Sequence, residues 1–243
     1  MNRFKIVSPY IGLYLICVLV ILLVNPLGDF PLNDDWSYAK SVKTLMESGK
    51  LKLYNWGEMT LVAHVYFGFF FTKLFGFSFN VLRFSTLLTG LVSLWGIYSI
   101  ASLVQTSKYT AFFIALLCLF NPIFLPLSFS YMTDVPFFCL NLWAFYCFIR
   151  FHKTGQSHFL LLATFLCLWA LFIRQLAFVF PLAWLVSYLI CKPLNKKNIT
   201  NAIFPLLVLL FFYFAYTFLM KESGLLQARY NDKLGLLGRT ISN

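Results

Sequence analysis

The sequence predicts an all-α polytopic membrane protein with about seven transmembrane helices and two interfacial helices in its first outer loop. Three observations lead to this prediction. Hydrophobic residues make up 60% of the chain and charged residues only 11%, whereas soluble domains carry about 25% charged residues. The mean hydropathy is +0.80. The apolar residues also fall into long runs, and roughly 20 such residues cross about 30 Å of hydrocarbon.

The formal net charge of +11 does not indicate a nucleic-acid-binding protein. Lys and Arg occur in short clusters between apolar runs, which is how the signals that orient membrane helices are distributed. A nucleic-acid-binding domain would instead gather them into one patch or stripe. We therefore expect membrane lipid as a partner, and no nucleic acid.

Seven apolar runs are candidates for transmembrane helices. The first follows a basic N-terminus but is as long as a full span and lacks a cleavage site, so we interpret it as a retained signal anchor. The stretch 159–191 fits one very long helix or two short ones, and the basic clusters at both of its ends favour two crossings or a re-entrant hairpin. The predicted helices are Ile6–Val24, Val81–Val104, Tyr109–Leu127, Val135–Ile149, Phe159–Ile173, Leu176–Cys191 and Ile203–Met220.

The connections between these runs differ in charge, and this predicts their sidedness. Ser128 to Asp134 contains no Lys or Arg, whereas alternate connections are basic. Positive connections stay in the cytoplasm, so we predict a multi-pass protein of the inner or plasma membrane with a cytoplasmic N-terminus. Residues 1–220 form the transmembrane module, and 221–243 form an outward tail. The basic connections contain Arg3 and Lys5, then Lys108, then Arg150 and Lys153, then Lys192, Lys196 and Lys197.

The first outer loop, residues 25–80, contains two further helical patterns. Asp34 to Glu47 is amphipathic, with a good cap at its start and Gly49 after its end. Leu61 to Phe75 is rich in aromatic residues and carries a single Lys73. Both patterns are typical of helices that lie in the membrane interface. The pair Asp34 and Asp35 is therefore placed at the membrane surface.

The few charges near the outer ends of the helices are the strongest functional signal. The chain has only 8 acidic residues, and carboxylates at membrane depth are costly and usually functional. Asp134 begins the run Val135–Ile149, whose 15 residues span only about 22 Å. Arg174 separates two similarly short runs. A wet recess shared by Asp34, Asp134 and Arg174 is the least costly arrangement.

Each of these charges also has a purely structural interpretation. Asp34 and Asp35 could cap an interfacial helix, where acids favour the positive end of the dipole. Asp134, two residues before a proline, could mark an ordinary helix N-terminus. Arg174 could mark a turn between two spans, and His64 could be an interfacial side chain without a role. These alternatives stay open at the level of the sequence.

Three segments, NDDWSYAKSV, LFGFS…LRFSTLLTG and LSFSYMTDVPFF, occur in this order on the predicted topology. In this the chain resembles the membrane-embedded GT-C glycosyltransferases that use polyprenyl-phosphate sugars. It is most similar to bacterial family 39, aminoarabinose-transferase-like and RgtA/B/C/D-like proteins. The resemblance extends from about Asn25 to Pro181. It implies a fold of seven or more spans and transfer of a sugar from a lipid-phosphate carrier.

The resemblance also implies site residues. Asp34 matches the catalytic acidic position, Asp35 its acidic neighbour, and Asp134 the acid of the second outer loop. Tyr38, His64 and Arg83 match positions that we expect to contact substrate.

Two departures from the family pattern bear on activity. GEMTLVAHVYFG stands where many relatives have a Lys-Pro-Pro stretch. The chain ends at Asn243, whereas full-length relatives continue, so we expect an acceptor-binding half to be missing.

The expected function is inverting transfer of a hexosyl or pentosyl group from a polyprenyl-phosphate donor to a lipid, glycan or protein acceptor at the extracytoplasmic face. Asp34 would be the base, and Arg174 would bind the departing phosphate. A Mg²⁺ or Mn²⁺ ion bridging Asp34, Asp35 and Asp134 stays open. The alternatives are a transporter or flippase of a lipid-linked sugar and a non-catalytic truncated membrane protein.

Overall fold

A computed structural model of the chain describes residues 9–54, 56, 59–104 and 106–223. Helix accounts for 79% of the structure, and the described residues contain no strand, as the sequence predicts. The predicted cytoplasmic cations Arg3 and Lys5, and most of the predicted tail 221–243, lie outside these ranges. The helices are α1 (Pro9–Val24), α2 (Asp35–Ser48), α3 (Val62–Phe75), α4 (Phe79–Leu103), α5 (Lys108–Leu119), α6 (Phe124–Ser128), α7 (Asp134–Thr154), α8 (Ser157–Leu171), α9 (Val179–Cys191) and α10 (Lys196–Glu222), with a 3₁₀ turn at Gln175–Phe178 before α9.

Three of the described helices, α4, α7 and α10, are long and apolar enough to cross a membrane by themselves. Five shorter apolar segments accompany them: α1, α3, α5, α8, and the 3₁₀ turn together with α9. The structure therefore contains every predicted helical segment, while the count of seven crossings stays a prediction.

Helix α7 is longer than predicted. The predicted run Val135–Ile149 was wrong at its C-terminal end, because α7 has 21 residues and extends to Thr154. His152 and Lys153 occupy its last turn, where cations favour the negative end of the helix dipole. Gly155 ends the helix in the left-handed region, with φ of 69°. At 1.5 Å per residue α7 spans about 32 Å, so the membrane thinning expected of a short helix is not needed here.

The predicted helix Tyr109–Leu127 is interrupted. Pro122 lacks the N–H that a continuous helix needs, and α5 ends at Leu119. The Asn121 side chain then accepts hydrogen bonds from the N–H groups of Ile123 and Phe124, at 2.9 and 3.1 Å. Asn121 therefore starts α6 as a separate short helix that leads into the segment before α7.

The break predicted near Arg174 is present. The backbone at the start of α3 forms hydrogen bonds with the residues just before this break. The Leu61 N–H donates to the Ile173 carbonyl at 3.2 Å, and the Ala63 N–H donates to the Phe172 carbonyl at 2.9 Å. Leu61 has a φ of 56°, which turns the chain into α3. The start of α3 is thereby fixed to the end of α8.

Buried side chains form three clusters, and one of them underlies the outer-loop helices. It joins α2 and α3 to Leu82 of α4, to Tyr131 in the connection before α7, and to Tyr216 of α10. The Tyr216 hydroxyl also donates to the Thr60 carbonyl at 3.1 Å. The starts of α2, α3 and α7, and the ends of α8 and α10, therefore meet at one end of the helix bundle.

Candidate active site

Asp35 fastens the start of α2 to the connection before α7. Its carboxylate is fully buried and accepts the Leu32 N–H at 2.7 Å and the Tyr131 N–H at 3.3 Å. Burial raises the pKa of the Asp35 carboxyl, while the two N–H groups and the nearby Arg83 oppose that shift. Because both oxygens accept N–H groups that lie outside α2, the Asp35 side chain does not cap this helix.

Asp34 is the residue directly before α2, at the N-cap position, but its side chain does not cap the helix. Its Oδ1 accepts the indole Nε1–H of Trp56 at 3.0 Å. This hydrogen bond holds the Asp34 carboxylate in place. Because the residue is only half-buried, the carboxylate stays open to solvent. A carboxylate held in this way can accept a proton from a bound hydroxyl group.

Asp134 and Arg174 form an ion pair between the start of α7 and the break after α8. The Arg174 Nη2 lies 2.8 Å from the Asp134 Oδ2, and the Arg174 Nε–H donates to the Thr133 hydroxyl at 2.7 Å. The side chains keep exposed fractions of 21% for Arg174 and 33% for Asp134. A cation that is oriented and still open to solvent is suited to binding an anionic group.

The phenol of Tyr38 lies within electrostatic range of all these charges. The residue is buried, and burial raises its pKa to about 12. The charges of Arg174, Asp34, Asp134 and Asp35 all act on this phenol as well. The Tyr131 N–H bond to Asp35 also brings the start of α2 to the connection that carries Asp134 and its partner Arg174, while a single pocket shared by all four charges stays a prediction.

His64 lies behind Tyr38 as a neutral, fully buried side chain. Its ring stacks on Tyr131 at 4.2 Å and meets Tyr38 edge-on at 5.8 Å. Nε2 lies 3.3 Å from the Tyr131 carbonyl, and burial lowers the His64 pKa to about 3. A histidine that stays uncharged in this position supports the two aromatic rings and does not supply a cation.

Tyr131 is the clearest residue that the sequence reasoning missed, although it lies within the quoted segment LSFSYMTDVPFF. Its hydroxyl donates to the His64 carbonyl at 2.7 Å, which ties the connection before α7 to α3. A Cβ on Gly68 would lie 2.0 Å from this hydroxyl, so only glycine fits there. Thr133 and Trp56 were missed as well, because single Thr and Trp residues give no signal without their partners.

Arg83 is buried and bound to backbone. Its guanidinium donates to the carbonyls of Pro26 at 3.0 Å and Gly28 at 2.7 Å, and also to that of Phe30, whose ring it stacks on. The structure thus places Arg83 under the connection between α1 and α2. Its positive charge lies close enough to Asp35 to lower the pKa of that carboxyl. Its N–H groups, however, bind carbonyls of the loop.

The carboxylates do not form the ligand set that the sequence left open for Mg²⁺ or Mn²⁺. Such ions take several oxygen ligands at once. Both oxygens of Asp35 accept backbone N–H groups, and Asp134 is paired with Arg174. Among the residues that the structure describes, no three His, Cys, Asp or Glu side chains converge in a way that could hold a metal.

Comparison with known proteins identifies the family of the chain. The model of the family described as dolichyl-phosphate-mannose-protein mannosyltransferase matches residues 62–220, well over half of the chain. No curated protein and no solved structure matches the chain. The matched range contains His64, Arg83, Asp134 and Arg174, and it begins after the Asp34–Asp35 pair. The chain therefore belongs to the dolichyl-phosphate-mannose-protein mannosyltransferase family and is a membrane glycosyltransferase of the GT-C type, a group that takes its sugar from a polyprenyl-phosphate carrier.

Proposed function

We propose that the chain transfers a sugar, with inversion, from a polyprenyl-phosphate donor to a hydroxyl group of an acceptor at the extracytoplasmic face. The observation that carries this proposal is the hydrogen bond from the Tyr131 N–H to Asp35, which brings the acidic start of α2 to the connection that holds the Asp134–Arg174 ion pair. A carboxylate next to an oriented cation provides what such a transfer needs, namely a base for the acceptor and a partner for the phosphate.

In the proposed step Asp34 takes the proton of the acceptor hydroxyl as its oxygen attacks the anomeric carbon. The new bond forms between that oxygen and the anomeric carbon, and the bond from the carbon to the phosphate oxygen breaks. The electron pair leaves with the polyprenyl phosphate, so no general acid is required. Arg174 stabilises the charge that develops on the phosphate oxygens.

The other predicted residues support these two groups. Asp134 and Thr133 orient the Arg174 guanidinium. Asp35 holds the start of α2, and Arg83 holds the loop before it. The Tyr38 phenol carries its proton at neutral pH, as a tyrosine ordinarily does, so it can donate a hydrogen bond to an oxygen of the sugar donor.

The carrier chain would lie in an apolar groove between α3 and α8. The groove has a cavity of about 290 Å³ and passes close to the site, because Phe172 is two residues from Arg174 and Ala63 precedes His64. A long prenyl chain needs an apolar surface that leads to its phosphate, and this groove provides one. Its lining residues are Val62, Ala63, Phe165, Leu168, Trp169 and Phe172.

The extracytoplasmic position is supported by the charges at the two ends of α7. Asp134 stands at its start, while Lys153 stands at its end, about 30 Å away along the helix. Lys192 after α9, and Lys196 and Lys197 at the start of α10, add basic residues to another connection that we predict to be cytoplasmic. Because basic ends tend to remain in the cytoplasm, these charges support an outward position for the acidic end.

The test is turnover of a polyprenyl-phosphate sugar by the full chain in membranes that contain native acceptors. Release of polyprenyl phosphate is measured for the wild type, Asp34→Asn and Glu47→Gln, with mannosyl and glucosyl donors. Glu47 is an exposed acid at the other end of α2 and serves as the matched control. We expect release to fall at least about 100-fold in Asp34→Asn only. Equal release in all three proteins would overturn the proposal.

A further inference from the structure

Three aromatic rings stand beside Asp34, on the side away from the buried helix clusters. Trp36 lies in the first turn of α2, and Tyr54 and Trp56 lie in the connection that leads to α3. The Trp36 ring centroid is 5.2 Å from that of Tyr54 and 5.8 Å from that of Trp56. The Lys40 ammonium lies over the Tyr54 ring at 4.2 Å. We call Trp36, Tyr54 and Trp56 the aromatic platform.

The aromatic platform is not part of the packed interior. None of its rings belongs to the three clusters of buried side chains, and Trp56 keeps an exposed fraction of 42%. Trp36 and Tyr54 are half-buried. Exposed aromatic rings are common in this chain, Trp95 among them. This group differs because one of its indoles donates to the Asp34 carboxylate, which points to a ligand bound beside that carboxylate.

The chemistry of this surface fits a sugar ring. The C–H groups of a pyranose carry partial positive charge and stack on the negative face of an aromatic ring. Its hydroxyl groups need charged or polar partners around that face, which Asp34 and Lys40 provide. Peptides also bind aromatic-lined surfaces when they are proline-rich, and a serine- and threonine-containing peptide is therefore included in the test.

The position of Trp56 links the aromatic platform to the reaction. Its indole Nε1–H donates to the Asp34 Oδ1 at 3.0 Å, so a ring that stacks on Trp56 lies against the carboxylate that takes the proton. In the proposed reaction the donor phosphate binds at Arg174, whose own contacts are with Asp134 and Thr133. A ligand on the aromatic platform is thus placed as the acceptor and not as the donor.

We propose that the aromatic platform binds a sugar residue of the acceptor, so that the acceptor is a glycan or glycolipid rather than a serine or threonine of a protein. This inference rests on the proposed function, because it assigns the acceptor of that same reaction. Trp56 then has two tasks: its ring binds the acceptor sugar, and its N–H orients Asp34.

The test measures binding of free methyl glycosides to the full chain in lipid nanodiscs, without any donor. The probes are the methyl glycosides of mannose, glucose and galactose, followed by saturation-transfer NMR and titration. We expect at least one to bind with a dissociation constant on the order of millimolar. Trp36→Ala and Trp56→Ala should each weaken that binding at least about tenfold, whereas Trp56→Phe, which keeps a ring, should weaken it less than about threefold.

The matched control is Trp95→Ala. Trp95 is a similarly exposed indole, and it forms an edge-on pair with Trp143 at 5.0 Å on the helices α4 and α7. Its removal should leave glycoside binding unchanged. The inference is overturned if no glycoside of the panel binds, if both alanine variants of the aromatic platform bind as the wild type does, or if a serine- and threonine-containing peptide binds there instead.

Failure of the proposed function would look different. In that case glycoside binding would still depend on the aromatic platform, while Asp34→Asn would leave release of polyprenyl phosphate unchanged. Loss of release in Asp34→Asn together with wild-type glycoside binding in Trp36→Ala and Trp56→Ala would keep the transferase and remove the acceptor assignment.

Discussion

The Asp134 carboxylate and the Arg174 guanidinium lie 2.8 Å apart, although Asp134 begins α7 and Arg174 lies in the break after α8. The Thr133 hydroxyl holds a second nitrogen of the same guanidinium at 2.7 Å. Two contacts at the start of α7 therefore set the direction of the cation that ends the α8 segment. In the proposed reaction this direction decides how well the departing phosphate is bound.

Asp134→Asn should raise the KM for the polyprenyl-phosphate sugar while changing the stability of the protein little. The ion pair is partly exposed, and pairs of this kind contribute only about 0–1 kcal/mol to folding. The loss of orientation should instead raise the KM for the polyprenyl-phosphate sugar by about three- to tenfold. Steady-state kinetics and the apparent melting temperature in detergent check both parts. A large drop in melting temperature with unchanged KM would assign Asp134 a structural role only.

Asp35→Asn should alter the pH dependence of stability. Burial raises the Asp35 pKa above its ordinary value of 3.8, so the folded protein binds this proton more tightly than the unfolded chain. The contribution of this protonated carboxyl to stability is present below pH 3.8 and is lost as the pH rises through the raised pKa. The wild type should therefore lose melting temperature relative to Asp35→Asn as the pH rises through that window. A relative gain by the wild type would contradict the assigned cause of the shift.

His64→Phe should weaken the response of stability to acid. The His64 pKa is lowered to about 3 by burial, so the folded protein resists a proton that the unfolded chain accepts near 6.5. The contribution of neutral His64 to stability is present above pH 6.5 and is lost as the pH falls toward 3. Between these values the melting temperature of His64→Phe should fall less steeply than that of the wild type. His158→Phe, at an exposed histidine of α8, is the control and should retain the wild-type slope.

Gly68→Ala should destabilise the protein through Tyr131. A Cβ at this position would lie 2.0 Å from the Tyr131 hydroxyl, so that the bond from this hydroxyl to the His64 carbonyl has to break. Overpacking of this kind costs about 1–3 kcal/mol. Gly12→Ala is the control, because its Cβ would meet Phe112 at an ordinary 3.6 Å. Equal melting temperatures for the two variants would show that the Tyr131 contact is not tight.

The helical segments were predictable from the sequence, and so was the pairing of Asp134 with Arg174. These two residues stand at ends of apolar runs, and charges at membrane depth are costly unless they share a wet recess. This argument depends only on hydropathy and sidedness, and both can be read from one chain. The same reasoning placed the C-terminal end of α7 too early, because it treated Arg150 and Lys153 as the end of the helix. The role of Asp34 beside Asp134 and Arg174 stays a prediction.

The partners of individual side chains were not predictable in the same way. Arg83 binds three backbone carbonyls. Because every residue has a carbonyl, the sequence does not show which of them a side chain will bind. The hydrogen bond from Trp56 to Asp34 joins α2 to a connection without regular periodicity. Tyr131 depends on the space left by Gly68, which becomes visible only when α3 and the connection before α7 are packed together.

The central claim is that Asp34 and Arg174 act on different groups within one site. The most direct test compares Asp34→Asn with Arg174→Gln for polyprenyl-phosphate binding and for turnover of the donor sugar. We expect Asp34→Asn to bind polyprenyl phosphate as the wild type does while its turnover falls at least about 100-fold. Arg174→Gln should lose at least about tenfold in affinity for the same lipid. Wild-type turnover in Asp34→Asn, or wild-type affinity in Arg174→Gln, would contradict the account.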